Sequence, residues 1–297
     1  MEQPFADRLA ALVEERRSQI CLGLDPDPAH LGPEGAAAAA GSQGAAAERA
    51  GRAVVAHCRA LIERAGPACV AAKPQLACFE RLGAPGWTAL AETCATAREA
   101  GLLVLADAKR GDVPVTAAAY AQALVGDTPT PWGPVAGLGV DAFTASPLLG
   151  RDALEPLVEA AACTGAGVFV LVRTSNPGAA DVQDLAAPER PLHEHLAALV
   201  DGLSERLLGE RGLSGMGAVV GATEPEHLAR LRELMPRSIF LIPGVGAQGG
   251  RAETLGPAFA PGPAAALVAA SRAIAADPDP AAAAERLRAA VWDVSTA

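Results

Sequence analysis

Eight apolar runs, each followed by a segment of helical character, set the narrowest limits on how this chain can fold. The runs occupy 19–25, 68–73, a stretch from Leu102 into Asp107-Ala108-Lys109, then 139–146, 167–173, 216–222, 239–244 and 265–270. Helical periodicity falls at 48–65, 86–100, 115–125, 151–163, 193–208, 225–235 and 280–293, with a further amphipathic helix at 4–17. After the seventh run the segment 247–263 is Gly/Pro-rich and reads as a poor helix. Strands that alternate with helices pair in parallel. Eight such units in a chain of 297 residues predict a closed (β/α)8 TIM barrel, a single domain over 1–297 with loop inserts. A doubly wound open sheet is the alternative, but no Gly-x-Gly-x-x-Gly follows the first run. The Gly/Ala-rich segment 31–47 reads as a mobile loop, and 126–138 as a Pro/Gly-rich insert.

In a barrel the strand C-termini gather at one rim, where active sites are built. Asp25, Lys73, Asp107, Lys109, Ser146, Arg173 and Arg272 all fall there. Within the third run, alternation sends Asp107 and Lys109 to the face of Leu103 and Leu105, and Val104, Ala106 and Ala108 to the other. Asp112 lies beyond, in the turn. Asp-x-Lys at a strand end is more often an ordinary solvated ion pair. The composition argues otherwise here, because only two of the 24 basic residues are lysines, Lys73 and Lys109. Arg holds its proton near neutrality and Lys can be tuned to release it, so two isolated lysines mark positions where the ammonium itself matters.

Two further segments point to an anion. Pro243-Gly-Val-Gly-Ala-Gln248-Gly-Gly follows the seventh run, and Ser271-Arg272 follows the eighth. Loops after strands seven and eight are the usual phosphate site of these barrels. A Gly-rich loop alone is more often a plain turn; with Arg272 beside it, it predicts a phosphorylated substrate. Ser175-Asn176-Pro177-Gly178 is explained by turn formation, Asp27 by turn chemistry beside two prolines, and Asp141 by burial within a strand. His193-Glu194-His195 has the wrong spacing for a helical zinc pair and reads as a solvated loop or helix start.

A net charge of −10 and 3% aromatic residues exclude a nucleic-acid surface. The six cysteines form no Cys-x-x-Cys pair and read as reduced thiols of a cytoplasmic protein. The N-terminal residues carry no signal-segment pattern, and no apolar run is long enough for a bilayer.

Taken together, Lys73, Asp107-x-Lys109-x-x-Asp112, Pro243 to Gln248 and Ser271-Arg272 resemble the orotidine 5′-phosphate decarboxylase family over nearly the whole chain. The insert 31–47 and the Thr-Ser-Asn-Pro-Gly segment 174–178 are similar to its long-form, type 2 subgroup. The resemblance implies decarboxylation of orotidine 5′-phosphate to uridine 5′-phosphate, in de novo pyrimidine biosynthesis, without metal or cofactor. It implies a charge array of Lys73, Asp107, Lys109 and Asp112, with Lys109 protonating carbon 6. Asp25 and Lys73 would bind the ribose. Gln248 and Arg272 would hold the phosphate, with Ser271 replacing a frequent Gly. The base-recognising hydroxyl would lie near Ala145 or Ser146. Asp112 and Thr116 would reach the neighbouring subunit's site in a homodimer, and the loops after strands five and seven would close over the substrate.

Three other readings compete. A magnesium-dependent phosphate-sugar decarboxylase or aldolase shares Asp-x-Lys-x-x-Asp but needs a further carboxylate near the early strand ends, where only Asp25 offers itself. A Schiff-base aldolase on Lys109 conflicts with flanking carboxylates, which favour a charged and poorly nucleophilic amine. A phosphate-binding barrel without chemistry leaves the complete Lys/Asp set unexplained.

Overall fold

The computed structural model describes residues 3–246 and 249–297. Its centre is a closed barrel of eight strands, each hydrogen-bonded in parallel to its neighbours. In chain order they are β1 Ile20–Leu24, β2 Ala71–Pro74, β3 Leu103–Arg110, β4 Ala142–Ala145, β5 Gly167–Arg173, β6 Ser214–Val220, β7 Ser238–Ile242 and β8 Ala266–Ala270. Pairing of Ile20 with Val268 brings β1 against β8 and closes the ring. The expected (β/α)8 architecture is therefore the observed one.

The helices are α1 Phe5–Arg16, α2 Pro33–Gly41, α3 Ala46–Ala65, α4 Leu76–Glu80, α5 Ala84–Glu99, α6 Pro114–Leu124, α7 Arg151–Thr164, α8 Leu192–Asp201, α9 Pro225–Leu234, α10 Arg272–Ala275 and α11 Pro280–Ser295. The described part of the segment after β7 holds only 3-10 turns, as its Gly/Pro content predicts. One expectation fails: 31–47 is not a loop but carries α2, laid against α3. Alanine is the best helix former, and Pro33 sits in the first turn where its missing N–H costs nothing. Reading the alanine run as low complexity overlooked that preference. The insert after α6 folds into a short antiparallel hairpin, Asp127 opposite Ala136.

Strand alternation sorts the apolar side chains into two buried clusters. Cys21, Ala71, Leu105, Ala142, Phe169, Leu241 and Leu267 fill the barrel interior. Ile20, Val104, Ala106, Phe143, Val168 and Phe240 belong to the layer between barrel and helices. Two glycines make room for large side chains inside. A Cβ on Gly217 would lie 2.6 Å from the Phe169 ring, and one on Gly167 would lie 2.8 Å from Phe5. Phe5 of α1 meets Phe169 edge-on with centroids 5.8 Å apart, so α1 plugs the end of the barrel where the strands begin. The interior is thus solid below, and the open end is the rim at the strand C-termini.

Candidate active site

A cavity of about 320 Å3 opens at that rim, and residues from all eight strands or the loops that follow them line it. Its floor is apolar: Leu171, Val219, Leu241 and Ala269. One wall carries Asp25, Lys73, Gln75, Asp107, Lys109 and Thr144. The opposite wall carries Pro243, Gly244, Val245, Ser271 and Arg272, and Thr174, Ser175 and Asn176 stand at the edge.

Asp107 is the hub of the charged wall and is 7% exposed. Its Oδ2 accepts from Lys73 Nζ at 2.7 Å and from Gln75 Nε2 at 3.0 Å. Its Oδ1 accepts from Lys109 Nζ and from the Thr144 hydroxyl, the latter at 3.0 Å. Burial pushes the Asp107 carboxyl up, but the Lys73 and Lys109 ammonium groups outweigh it and bring it down to about 2. Burial likewise works against the Lys73 ammonium, yet Asp107 and Asp25 hold it above the ordinary lysine value. Lys109 differs from Lys73 in access: its side chain is 45% exposed, and that of Lys73 is 10%. Both ammonium groups line the cavity, Lys73 largely enclosed against Asp107 and Lys109 the more open of the two.

The local backbone explains how Asp107 and Lys109 share a face. β3 slips against β4, with Ala106 opposite Phe143 but Arg110 opposite Ala145. Within this bulge Lys109 adopts φ +48°, one of two non-glycine residues with positive φ among those described. Left-handed backbone is unfavourable for a residue with a Cβ and recurs at functional sites.

On the opposite wall, Gly244 and Gly246 have φ of +99° and +76°, and Gly250 N–H donates to the Gly244 carbonyl at 3.0 Å. The tight turn keeps the Gly244–Val245 backbone against the cavity. Gly23 has no Cβ because one would sit 2.7 Å from Ser271 Cβ.

Of the residues expected at the site, Asp25, Lys73, Asp107, Lys109, Ser271 and Arg272 line one cavity. Gln248 falls outside the described residues. Asp112 and Thr116 do not line the cavity; Asp112 follows the bulge and accepts the Val113 N–H at 2.7 Å. Ser146 is also absent from the lining, because β4 ends at Ala145 and Ser146 turns against Gly111. Thr144 lines the cavity instead.

Arg173, expected on the rim, is buried and points elsewhere: a register shift after Leu171 turns it to Asp184 at 2.9 Å and to Glu224 at 2.9 Å. His193, expected in a solvated position, is buried at the start of α8 and meets Asp184 at 3.1 Å. Asp184, Glu224 and His227 are close enough to share a cation, but the Arg173 guanidinium already bonds both carboxylates. This ion cluster staples the base of the loop that presents Thr174, Ser175 and Asn176 to the cavity.

Sequence reading missed Gln75 and Thr144, and gave Ser175 and Asn176 to turn formation. Parity was the available signal: Gln75 is two residues past Lys73, and Thr144 two past the inward Ala142.

A closed parallel barrel with a Lys–Asp–Lys array facing a glycine turn and an arginine defines a (β/α)8-barrel enzyme acting on an anionic substrate. Residues 18–287 match the family described as orotidine 5′-phosphate decarboxylase / HUMPS family, and the chain belongs to it. Relatives named orotidine 5′-phosphate decarboxylase include that of Rhodopirellula baltica, 41% identical over 91% of this chain and 87% of the relative. That of Deinococcus radiodurans is 42% identical over 92% and 90%. Among solved structures, Leishmania donovani OMP decarboxylase superposes with a TM-score of 0.75 at 33% identity, covering 99% of this chain and 100% of that one. The chain also matches Leishmania donovani UMP synthase with a TM-score of 0.79 at 34% identity, spanning all of this chain but 57% of that longer protein. Among the described residues no helix is long and apolar enough to cross a membrane.

Proposed function

We propose that this protein converts orotidine 5′-phosphate to uridine 5′-phosphate and CO2, a step of de novo pyrimidine biosynthesis, through its own side chains and without metal or cofactor. The observation that carries the reading is Asp107 held between Lys73 and Lys109 on one wall of a cavity whose other wall ends in Ser271 and Arg272. The substrate phosphate lies at Gly244–Val245, Ser271 and Arg272, and the ribose lies at Asp25 and Lys73; the family resemblance adds Gln248 to the phosphate-binding set. The pyrimidine then meets Lys109. When the bond from carbon 6 to the carboxylate breaks, its electron pair stays on carbon 6. The Lys109 ammonium stabilises that carbanion, passes it a proton and regains one from water. Preorganised charge lowers the barrier because the array needs no rearrangement as the carbanion develops. Phosphate binding far from carbon 6 supplies energy for loop closure over the substrate.

The enzyme is read as a single-domain cytoplasmic homodimer whose subunits complete each other's sites through Asp112 and Thr116. Supporting this, Val113 and Val115 at the start of α6 are 54% and 85% exposed, and Leu148 and Leu149 in the loop after β4 are 66% and 48% exposed; the two segments begin at β-strand ends joined by Ser146 N–H to the Arg110 carbonyl. Exposed apolar side chains clustered in this way mark a contact surface. The magnesium-dependent alternative finds no support among the relatives named orotidine 5′-phosphate decarboxylase. The deciding experiment adds orotidine 5′-phosphate with EDTA present and follows loss of orotate absorbance. No turnover, or turnover that requires magnesium, refutes the reading.

A further inference from the structure

We infer that Thr144 is a positioning residue: its hydroxyl locks Lys109 and Asp107 into the geometry that decarboxylation requires. The inference rests on the function proposed above and concerns how the array is held.

Between Ala106 and Arg110 there are four steps along β3, whereas the facing residues Phe143 and Ala145 are two steps apart on β4. Thr144 is the single residue that faces the surplus. A bulge frees backbone N–H groups from the ladder, and a buried N–H needs an acceptor. The Lys109 N–H finds it in a side chain, Thr144 Oγ1 at 2.9 Å. The same hydroxyl spends its proton on Asp107 Oδ1 at 3.0 Å. Thr144 is 1% exposed, so water does not substitute for it.

A hydroxyl offers one proton and two lone pairs. Here the proton goes to the carboxylate and a lone pair goes to the amide, so one atom joins the backbone of the proton donor to the hub of its charge array. Lys109 occupies left-handed backbone at φ +48°. Such a conformation persists where its surroundings over-determine it. The Thr144 bond supplies that constraint from the neighbouring strand, and the Lys109–Asp107 contact supplies it from the side chain. Serine could make both bonds; valine has the shape of threonine and makes neither.

The test compares Thr144→Val and Thr144→Ser with the unaltered enzyme on orotidine 5′-phosphate. Thr144→Val is expected to lower kcat by about 10- to 100-fold, the scale of losing a hydrogen bond to a charged group. KM should stay within about twofold, because Ser271 and Arg272 are untouched. Thr144→Ser should return kcat to within a few-fold. Undiminished kcat in Thr144→Val overturns the inference, as does a serine variant as impaired as the valine variant. A loss confined to KM also overturns it. Thermal melts accompany the kinetics, and Thr144→Ala replaces the valine variant if that chain does not fold. An inactive unaltered enzyme would instead refute the proposed function.

Discussion

At the scale of single residues, the site separates charge that is enclosed from charge that is offered. Asp107 is enclosed, and its carboxyl is held down to about 2. A carboxyl held below its unfolded value stabilises the fold above that value, and the contribution vanishes as pH falls through the folded one. The contribution of Asp107 is therefore complete above about pH 4 and fades towards pH 2. In denaturant melts between pH 5 and pH 2, the stability gap between the unaltered chain and Asp107→Asn should narrow as the solution is acidified. A constant gap would contradict the ion-pair account. Arg272 belongs to the offered charge. Arg272→Ala should cost turnover of the phosphorylated substrate by tenfold or more and leave the phosphate-free nucleoside nearly unaffected, since charge-assisted bonds to phosphate contribute on the order of 1.5–3 kcal/mol each. Equal damage to both substrates would remove Arg272 from the phosphate site. The sequence revealed Lys73, Asp107, Lys109 and Arg272 because their residue types are rare or their positions are strand ends. Thr144 and Gln75 stayed hidden because a hydroxyl or an amide gains meaning from its partners, and those lie on other strands.

At the scale of elements, the strands were legible because a barrel strand is buried on both faces and reads as a continuous apolar run. Helix α2 was not, because its apolar residues are mostly alanine and supply no amphipathic stripe. Register shifts were equally invisible. Alternation alone puts Arg173 on the cavity face with Phe169 and Leu171, and the irregularity after Leu171 turns it to Asp184 and Glu224. The packing inside the ring yields a prediction independent of the chemistry. Gly217→Ala drives a methyl group to 2.6 Å from the Phe169 ring and 2.6 Å from the Ile239 carbonyl oxygen. Overpacking of this kind should cost about 1–3 kcal/mol in chemical denaturation. Gly41→Ala, at the exposed end of α2 with no atom within 4 Å of the new methyl, is the control and should be neutral or slightly stabilising. Equal losses in the two variants would mean that the barrel interior tolerates the extra carbon.

At the scale of the whole molecule, the bulge that orients Lys109 also carries Asp112 out of its own cavity. If Asp112 serves a second subunit, Lys109→Ala and Asp112→Ala chains, each inactive alone, should complement when mixed. In a mixed dimer one site takes both residues intact and the other carries both lesions. Random pairing makes half the dimers mixed, so about a quarter of the unaltered activity should return. Mass spectrometry must confirm that subunits exchanged. Exchange without recovery would show that each chain builds its own site.

The pairing of Ile20 with Val268 has a consequence for how the molecule comes into being. Asp25 follows the first strand and Lys73 stands on the second, while Ser271 and Arg272 follow the last. Only a fragment that runs at least from Asp25 to Arg272 contains both walls of the cavity in full. During synthesis the charge array can form while the wall of Ser271 and Arg272 is still unmade, and the two meet only when β8 closes on β1. Contacts so distant in sequence form late and slowly. The return of phosphate-dependent turnover during refolding is therefore a clock for ring closure, and it should lag behind the recovery of helical signal.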